Sequence, residues 1–545
     1  MEYVSAPSVL EGRRAAGGVL STARQRIFQI VLAVGGLLLV SVYAVAINAP
    51  ATGLFHDDGI YVVTARALAE GQGYQIISLP QSLPQTKYPI LFPWLLSLVW
   101  RVAPSFPDNL PLLRIVPLLA TAIWLWLSWR LLLACGASRA AALAVVALTA
   151  VSPWVVFLGT ALLSEMPFAA LLTASLLLLT RVRNQTATIG RLCAFAGPLA
   201  GACFLTRTAG VAVLAGGLAW LIVTRRWLGA AAYGTAAAVI VIPWVGWVLW
   251  NAADTASYYS LSNYGSWNVV FHYAWREKFT VIAINALNWI LGSSSLWGLD
   301  VTPWLVVPAA LLAACALRGM WLTRRHPITW CVIAYTAIIM AWVWPPIRFL
   351  VPVMPLMLWQ VSVAIRRIPV IPVAVVVATL ITTSSAMLLR TVAHASSEGV
   401  MWFRAEGPKD WHRLSDLFDR IRQDTSPNAV LTGNLDPTYF LYTGRKAVLA
   451  FTADPYFLFY SSSPTAASEL SSIDDFRRRL LSTGADYCVV TPVPGDPPYF
   501  RRLVEELARD VPGSLTLATT DVAAGYAVYR IDRDRLEDAE RRDQF

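Results

Sequence analysis

Long apolar segments recur along the first 390 residues of the chain and predict a bundle of membrane-spanning helices. Each has roughly 17 to 25 residues, the length that an α-helix needs to cross the hydrocarbon core of a bilayer. Arg and Lys lie largely in the short gaps between these segments. The pattern predicts about eleven crossings, at residues 27–47, 111–133, 140–158, 163–180, 192–206, 208–224, 229–250, 303–318, 327–344, 347–365 and 369–389.

Two more apolar stretches, YPILFPWLLSLVW and FTVIAINALNWILG, fit this topology as helices that lie on the outer face or dip into it. Counting either one alone as a crossing would place later Arg-rich gaps on the wrong side, against the rule that basic loops stay in the cytoplasm. If both crossed the membrane, the number of transmembrane helices would be about thirteen.

The basic residues also orient the bundle. Arg24 and Arg26 precede the first apolar segment and place the N-terminal tail, residues 1–26, in the cytoplasm. The basic gaps TRRW and IRRIP must lie on the same side. With eleven crossings, the first external loop, 48–110, and everything after Thr391 then lie on the side opposite the cytoplasm.

The pattern changes at about Glu398 to short strands separated by amphipathic helices. AVLTG, KAVLAF, DYCVVT, SLTLAT and GYAVYRI are predicted strands, and DWHRLSDLFDRIR and FRRLVEELAR have helical periodicity. We therefore divide the chain after the tail into a transmembrane domain, 27–390, and a C-terminal soluble α/β domain, 391–545. The C-terminal domain has no phosphate loop or nucleophile motif, which favours a lid or docking module over a second catalytic unit.

Composition agrees with a polytopic α-helical protein of the plasma or inner membrane. The chain is 57% hydrophobic and 14% charged, with a mean hydropathy of +0.55, which is too apolar for a soluble globular protein. The net charge of +10 is spread over the gaps between apolar segments. A nucleic-acid-binding protein would gather that charge on one patch or arm, so nucleic acid is not an expected partner.

Two adjacent carboxylates, Asp57 and Asp58, follow the first crossing in the sequence HDDGIYVVTARALA. One acid would suffice to cap the following helix and complement its dipole. A neighbouring pair at the membrane surface carries additional self-repulsion. That cost favours a function as a base, a metal site or both.

Lone cations and one acid interrupt the apolar segments near the outer face. Lys87 is either a lysine that reaches up to the headgroups or a cation that binds a lipid phosphate. Glu165 can cap a helix, but an ionisable side chain at such a depth is costly and suggests function. Arg207 and Arg348 either pair with these acids or grip a phosphate with two N–H groups.

Together these residues predict one outer-face cavity in which acids and isolated cations meet. Acids can deprotonate a hydroxyl or hold a divalent cation, and cations can stabilise a departing phosphate. Asp57, Asp58 and Glu165 are the candidate ligands of such a cation, Mg²⁺ or Mn²⁺. The site suits transfer from a donor whose phosphate is anchored to a lipid.

The order of the motifs resembles that of the polyprenyl-phosphate-sugar-dependent integral membrane glycosyltransferases, the GT-C class. The resemblance covers about the first 390 residues and is greatest to the protein O-mannosyltransferase and lipid A aminoarabinose transferase group. The motifs that carry it are HDDGIYVVTARALAEGQGY, KYPILFPWLLSLVW, LLRIVPLLATA, LLSEMPF, LTRTAG and RFLVPVMPLM.

This resemblance implies roles for the residues of the first external loop. Asp57 corresponds to the proposed catalytic base of the family, and Asp58 to its partner. The family has a Lys-Pro-Pro-aromatic stretch that contacts the donor phosphate. Lys87 and Tyr88 occupy that position here, with the tyrosine in place of the first proline.

The resemblance also implies further substrate-binding residues and the reaction. Glu165 matches the acid of the second external loop, and Arg348 the late Arg before a proline-punctuated helix; Arg207 in LTRTAG completes the candidate substrate-binding residues. The reaction would be an inverting displacement that moves a hexosyl or pentosyl residue from a polyprenyl phosphate to a hydroxyl of an extracytoplasmic lipid, glycan or protein.

A polytopic transporter of a lipid-linked or anionic substrate is the alternative function, because many crossings with charges among them also suit a transporter. Transporters usually show repeated halves, and the sequence has no convincing internal repeat. The predicted charges instead gather at one face, which favours the transferase.

Overall fold

The computed structural model describes residues 33–184, 188–251, 273–292, 294–299, 302–399, 411–449, 455–461, 472–491, 498–521 and 525–543. The predicted cytoplasmic tail, 1–26, and the first residues of the first predicted crossing lie outside these ranges.

Apolar helices dominate the chain up to residue 399. In order they are α1 (Ala33–Ile47), α2 (Asp57–Ala69), α3 (Leu91–Val102), α4 (Leu110–Ala134), α5 (Arg139–Ala150), α6 (Pro153–Thr160), α7 (Glu165–Asn184), α8 (Ile189–Thr206), α9 (Val211–Val223), α10 (Trp227–Trp250), α11 (Trp275–Leu291), α12 (Pro303–Leu322), α13 (Pro327–Met340), α14 (Ile347–Leu350), α15 (Met354–Ala364) and α16 (Val370–Glu398).

The described part of every predicted crossing falls on one or two of these helices, and the protein is an integral membrane protein. Among the described residues, seven spans are long and apolar enough to cross a membrane, one of them being Ile347–Ala364, which runs from α14 through α15, and there are eight if α5 and α6 form one span. The other predicted crossings correspond to shorter apolar helices, so the count of eleven stays a prediction. The apolar stretches YPILFPWLLSLVW and FTVIAINALNWILG were predicted to be helices that do not cross the membrane on their own. They form the helices α3 and α11.

The predicted crossing at 140–158 consists of two helices, α5 and α6, rather than one. α5 and α6 meet at an angle of 64°. Ser152, which precedes Pro153, has an extended backbone with ψ 127°, because the proline ring disfavours the helical conformation of the residue before it. The hydropathy pattern does not register this bend, since both halves are apolar.

The centre of the bundle is α7, the most buried of the long helices, whereas α16 is almost wholly exposed to the surroundings. α8 packs closely against α10 because Gly197 and Gly201 present no side chain. A Cβ at either position would collide with α10, at Tyr233 and Ile240 respectively. Small residues four apart allow this kind of close helix contact in membranes.

The first external loop has its own structure. α2 and α3 pack together, with the rings of Tyr61 and Phe92 edge to face at 5.1 Å. Between them lies a two-stranded antiparallel sheet, β1 (Gln75–Ile76) and β2 (Leu83–Pro84). Lys87 and Tyr88 follow β2 and therefore return toward the start of α2.

The C-terminal residues form an α/β structure, as predicted. Its sheet has the order β4–β3–β5–β7–β6, with β3 parallel to β4 and β5, and β7 antiparallel to β5 and β6. The strands are β3 (Val430–Thr432), β4 (Lys446–Val448), β5 (Tyr487–Val490), β6 (Leu515–Asp521) and β7 (Tyr526–Ile531), and the helices α17 (Trp411–Asp424), α18 (Asp436–Thr443), α19 (Pro455–Phe459), α20 (Ile473–Thr483), α21 (Pro498–Asp510) and α22 (Arg533–Asp543).

Helices cover both faces of this sheet. Along β5, Cys488 and Val490 belong to the apolar cluster that includes Phe476 of α20, whereas Val489 belongs to the cluster that includes Phe418 of α17. Alternate side chains of a strand point to opposite faces, so one short strand contributes to both cores. The five predicted strands and two predicted helices of this region are confirmed.

Candidate active site

Five elements converge at one end of the bundle and bring six of the seven predicted site residues together. α2 and α7 begin there, and α8 ends there. The six residues are Asp57 at the start of α2, Lys87 and Tyr88 after β2, Glu165 at the start of α7, Arg207 after α8, and Arg348 in α14.

Alternating acids and arginines form a continuous row in this site. Arg348 Nη2 is 2.9 Å from Asp57 Oδ2, and Arg348 Nε is 2.6 Å from Glu165 Oε1. The same Glu165 oxygen lies 2.8 Å from Arg207 Nη1. Glu165 therefore fixes both arginines, and Arg348 links the two acids.

Exposure differs sharply along this row. The Glu165 side chain is 1% exposed, whereas the Asp57 side chain is 24% exposed. A carboxylate as deeply buried as Glu165 needs cationic partners, because an unpaired charge in an apolar interior is very costly. Glu165 thus supports the arginines from within, and Asp57 is the acid of the row that a ligand can reach.

Neutral side chains complete the support of the arginines. Arg207 Nη1 donates to Ser164 Oγ at 3.1 Å, and Ser164 Oγ shares a hydrogen bond of 3.0 Å with Tyr61 Oη. The ring of Phe349 lies beneath both guanidinium groups, 5.3 Å from Arg207 Cζ and 5.1 Å from Arg348 Cζ. The sequence did not single out Phe349 for the site, although aromatic rings are common partners of Arg.

Tyr88 and Lys87 approach the row from the loop after β2. Tyr88 Oη donates to Asp57 Oδ1 at 2.5 Å, and Lys87 Nζ lies 4.8 Å from the centre of the Tyr88 ring. The loop is held by the fully buried Gln85, whose Oε1 accepts the backbone N–H groups of Lys87 at 2.8 Å and Tyr88 at 3.2 Å. Sequence analysis missed Gln85, because an amide in a polar loop gives no pattern of its own.

The surroundings lower the pKa values of both Asp57 and Lys87. This keeps Asp57 charged and lets Lys87 change its charge near neutral pH. Burial raises the pKa of Asp57, but Arg348, Lys87 and the hydrogen bond from Tyr88 outweigh it and lower that pKa to about 2. Burial lowers the pKa of Lys87 to about 7, with Arg348 adding to the effect and Asp57 opposing it. Asp57 is therefore ionised at neutral pH, and Lys87 gains or loses its proton near neutral pH.

Asp58 is turned away from the row. Its Oδ2 accepts the backbone N–H of Gly53 at 2.7 Å, and its Oδ1 accepts those of Phe55 and Gly59, both at 3.1 Å. The side chain is 5% exposed, and burial raises its pKa. Asp58 therefore shapes the turn that precedes α2, and its predicted contact with substrate stays a prediction.

This geometry does not fit the divalent cation that the sequence analysis allowed. Both oxygens of Asp58 bind backbone amides, and Glu165 faces two arginines. Within the part of the chain that the structure describes, no group of three His, Cys, Asp or Glu side chains is arranged to hold a metal ion.

Comparison with known proteins identifies the fold of this chain. No protein-family model and no curated protein sequence matches the chain. The solved structure of apo ArnT from Cupriavidus metallidurans superposes with a TM-score of 0.55 at 15% identity, over 93% of this chain and 99% of ArnT. This chain has the GT-C fold.

Other GT-C structures agree. ArnT bound to undecaprenyl phosphate superposes with a TM-score of 0.54 at 15% identity, over 92% of this chain and 97% of ArnT. The oligosaccharyltransferase AglB from Archaeoglobus fulgidus, in complex with an inhibitory peptide and a dolichol-phosphate, gives 0.51 at 13% identity, over 92% of this chain and 74% of AglB. Both neighbours are GT-C glycosyltransferases, so the predicted fold class is confirmed.

Proposed function

We propose that this protein is a membrane glycosyltransferase that moves a sugar from a polyprenyl-phosphate donor to a hydroxyl group of an acceptor on the extracytoplasmic side. The contact between Asp57 and Arg348 carries the proposal, since it joins a proton acceptor to a phosphate-binding cation within reach of one bound headgroup. Three cations surround two acids in the site, an excess that favours an anionic ligand.

The GT-C neighbours support the identity of the donor. One of them, ArnT, was solved with undecaprenyl phosphate, and AglB with a dolichol-phosphate and a peptide. A polyprenyl phosphate suits this site as well, because its phosphate can lie by Lys87 and Arg348 while its chain extends into the apolar surroundings. The acceptor is a lipid, a glycan or a protein.

The proposed reaction is an inverting displacement. The acceptor oxygen bonds to the anomeric carbon from one side, and the bond from that carbon to the phosphate oxygen breaks on the other. The electron pair leaves with the polyprenyl phosphate, whose charge is stabilised by Lys87 and Arg348. The hydroxyl proton passes to Asp57.

The low pKa of Asp57 favours a late transfer of the proton. A carboxylate with a pKa of about 2 is too weak a base to deprotonate a free hydroxyl before attack. The attacking oxygen becomes strongly acidic once it has bonded to the sugar, and Asp57 can then accept its proton. Before that, the ionised Asp57 orients the hydroxyl by accepting a hydrogen bond.

Deletion of the gene in its host tests the proposal. Lipid-linked sugars and envelope glycans would be compared by mass spectrometry, with complementation by the wild type, by Asp57→Asn and by Asp474→Asn. Asp474 is an exposed acid that pairs with Arg477 within α20 and serves as the matched control. We expect the donor to accumulate and one product to be lost, with rescue by the wild type and the control alone.

Two outcomes would contradict the proposal. Full rescue by Asp57→Asn would remove Asp57 from the reaction. Movement of a lipid-linked substrate across vesicles containing the purified protein, without any sugar transfer, would favour the transporter instead.

A further inference from the structure

The C-terminal α/β structure contacts the turn that carries Asp57. His56 Nε2 donates to Asp436 Oδ1 at 2.8 Å, and the Asp436 side chain is fully buried at the start of α18. Thr438 Oγ1, in the first turn of α18, donates to the backbone oxygen of Gly53 at 2.7 Å. The contact thus joins positions about 380 residues apart in sequence, immediately beside the proposed proton acceptor.

The backbone at this contact is unusual. His56 has a φ of +59°, in the left-handed region that residues other than glycine rarely adopt. Such a conformation costs free energy and persists only where the surroundings impose it. Pro437 closes the other side of the turn, where a Cβ on Gly59 would lie only 3.0 Å from the proline ring. The segment 53–59 is therefore shaped by α18.

The transmembrane side holds the same segment from behind. The buried Arg114 donates to the backbone oxygen of Ala51 at 2.6 Å and to Thr52 Oγ1 at 2.8 Å. The Asp58 carboxylate binds the amides of Gly53 and Phe55. Asp57 thus lies on a turn that is fixed by the bundle on one side and by α18 on the other.

A second contact reaches the loop region that leads to Lys87 and Tyr88. In β4, the Ala447 N–H donates to the backbone oxygen of Ser78 at 2.9 Å, and Lys446 Nζ donates to that of Ile77 at 2.5 Å. The C-terminal structure therefore touches both arms of the first external loop, the one with the acid and the one with the phosphate-binding cation.

We infer that His56 and Asp436 are positioning residues of the active site, which make the C-terminal domain a structural component of catalysis rather than a detachable lid. The pair holds the turn so that Asp57 meets both Tyr88 and Arg348. This inference rests on the proposed transferase function. It extends that function by assigning a role to a domain that has no chemical motif of its own.

Kinetics of three variants test the inference: His56→Ala, Asp436→Ala and the double variant. We expect kcat to fall about 10- to 100-fold in each single variant, since displacements of about 1 Å in an active site cost rates of that order. The donor KM should change less than kcat, because Lys87 and Arg348 are retained. The double variant should be no slower than the slower single variant, because both changes break one contact.

Two further variants distinguish the loss of the contact between His56 and Asp436 from a general loss of structure in the C-terminal domain. Asp436→Asn keeps a hydrogen-bond acceptor for His56 and should retain most of the rate that Asp436→Ala loses. Asp474→Asn, on the same domain but paired within α20, should behave as the wild type. Additive losses in the double variant, or a wild-type kcat in both single variants, would overturn the inference.

Hydrogen–deuterium exchange provides a readout that does not depend on activity. Residues 53–59 should exchange faster in Asp436→Ala than in the wild type, while strands β3 and β5 keep their protection. If those strands also lose protection, His56→Ala, which leaves the C-terminal domain intact, decides the matter. Unchanged exchange at 53–59 would refute the coupling, whether or not the wild type has transferase activity. If exchange at 53–59 becomes faster in the variant but the wild type has no transferase activity, only the proposed function is refuted.

Discussion

The affinity for a phosphodiester should decrease as the pH rises above about 7, because Lys87 then loses its charge. Burial is the main cause of its lowered pKa, since the half-buried Lys87 side chain places its ammonium over the Tyr88 ring. An amine is charged below its pKa and neutral above it. At pH 9 only about 1% of the free protein would therefore keep the Lys87 charge.

The size of the effect follows from the contact that is lost. A hydrogen bond to a charged group contributes about 1.5–3 kcal/mol, which corresponds to about 10- to 150-fold in affinity. The dissociation constant should begin to rise near pH 7 and level off at higher pH, because a bound phosphate raises the pKa of the lysine that contacts it. An increase of about 10-fold or more between pH 6 and pH 9 is expected.

Undecaprenyl methyl phosphate is the appropriate probe for this measurement. As a diester it keeps one negative charge over the whole range, whereas a phosphate monoester loses a second proton near pH 6 and would confuse the result. Titration calorimetry in lipid nanodiscs would give the dissociation constant at each pH. The same probe would be used with Lys87→Arg and Lys87→Ala.

The two variants make the outcome decisive. Lys87→Arg keeps its charge throughout and should bind with little pH dependence, while Lys87→Ala should bind weakly at every pH. A flat wild-type curve from pH 6 to pH 9 would refute the reasoning. So would a Lys87→Arg curve that follows the wild type, since the titrating group would then be another residue.

Three further changes have defined outcomes. Asp57→Asn should abolish sugar transfer in vitro while undecaprenyl methyl phosphate still binds; turnover close to normal would contradict this. Tyr88→Phe removes a hydrogen bond that lowers the pKa of Asp57, so the acid limb of the pH–rate profile should move to higher pH, and an unmoved limb would exclude the contact. Glu165→Gln leaves two arginines without their buried partner and should destabilise the protein by about 3–5 kcal/mol, measured as a lower Tm than that of Asp474→Asn.

Hydropathy and charge could predict the helices and several site residues. A bilayer requires long apolar segments and disfavours isolated charges among them. Apolar length predicted the helices, and the cost of isolated charges among apolar residues predicted Glu165, Arg207 and Arg348 as members of one site. Their ion pairs were foreseen as one of two alternatives. The structure shows that Glu165 binds both arginines.

The remaining features depend on contacts that leave no local pattern. Asp57 and Asp58 are chemically identical neighbours, and only the direction of the turn before α2 sends one into the site and the other onto backbone amides. Asp436 looks like an ordinary first-turn acid of a short helix. Its partner is distant in sequence, so no spacing rule could connect it with His56.

The internal pairing of Arg348 has a consequence for turnover. Phospholipids of the membrane vastly outnumber any single polyprenyl carrier, and their headgroups would compete for a guanidinium whose outer N–H groups had no anionic partner. Asp57 already occupies Arg348, so an incoming anion must compete with a resident carboxylate for it. In the proposed reaction, Asp57 must first release the proton that it accepts, and its carboxylate can then return to Arg348 and displace the spent carrier, which leaves the site ready for the next cycle.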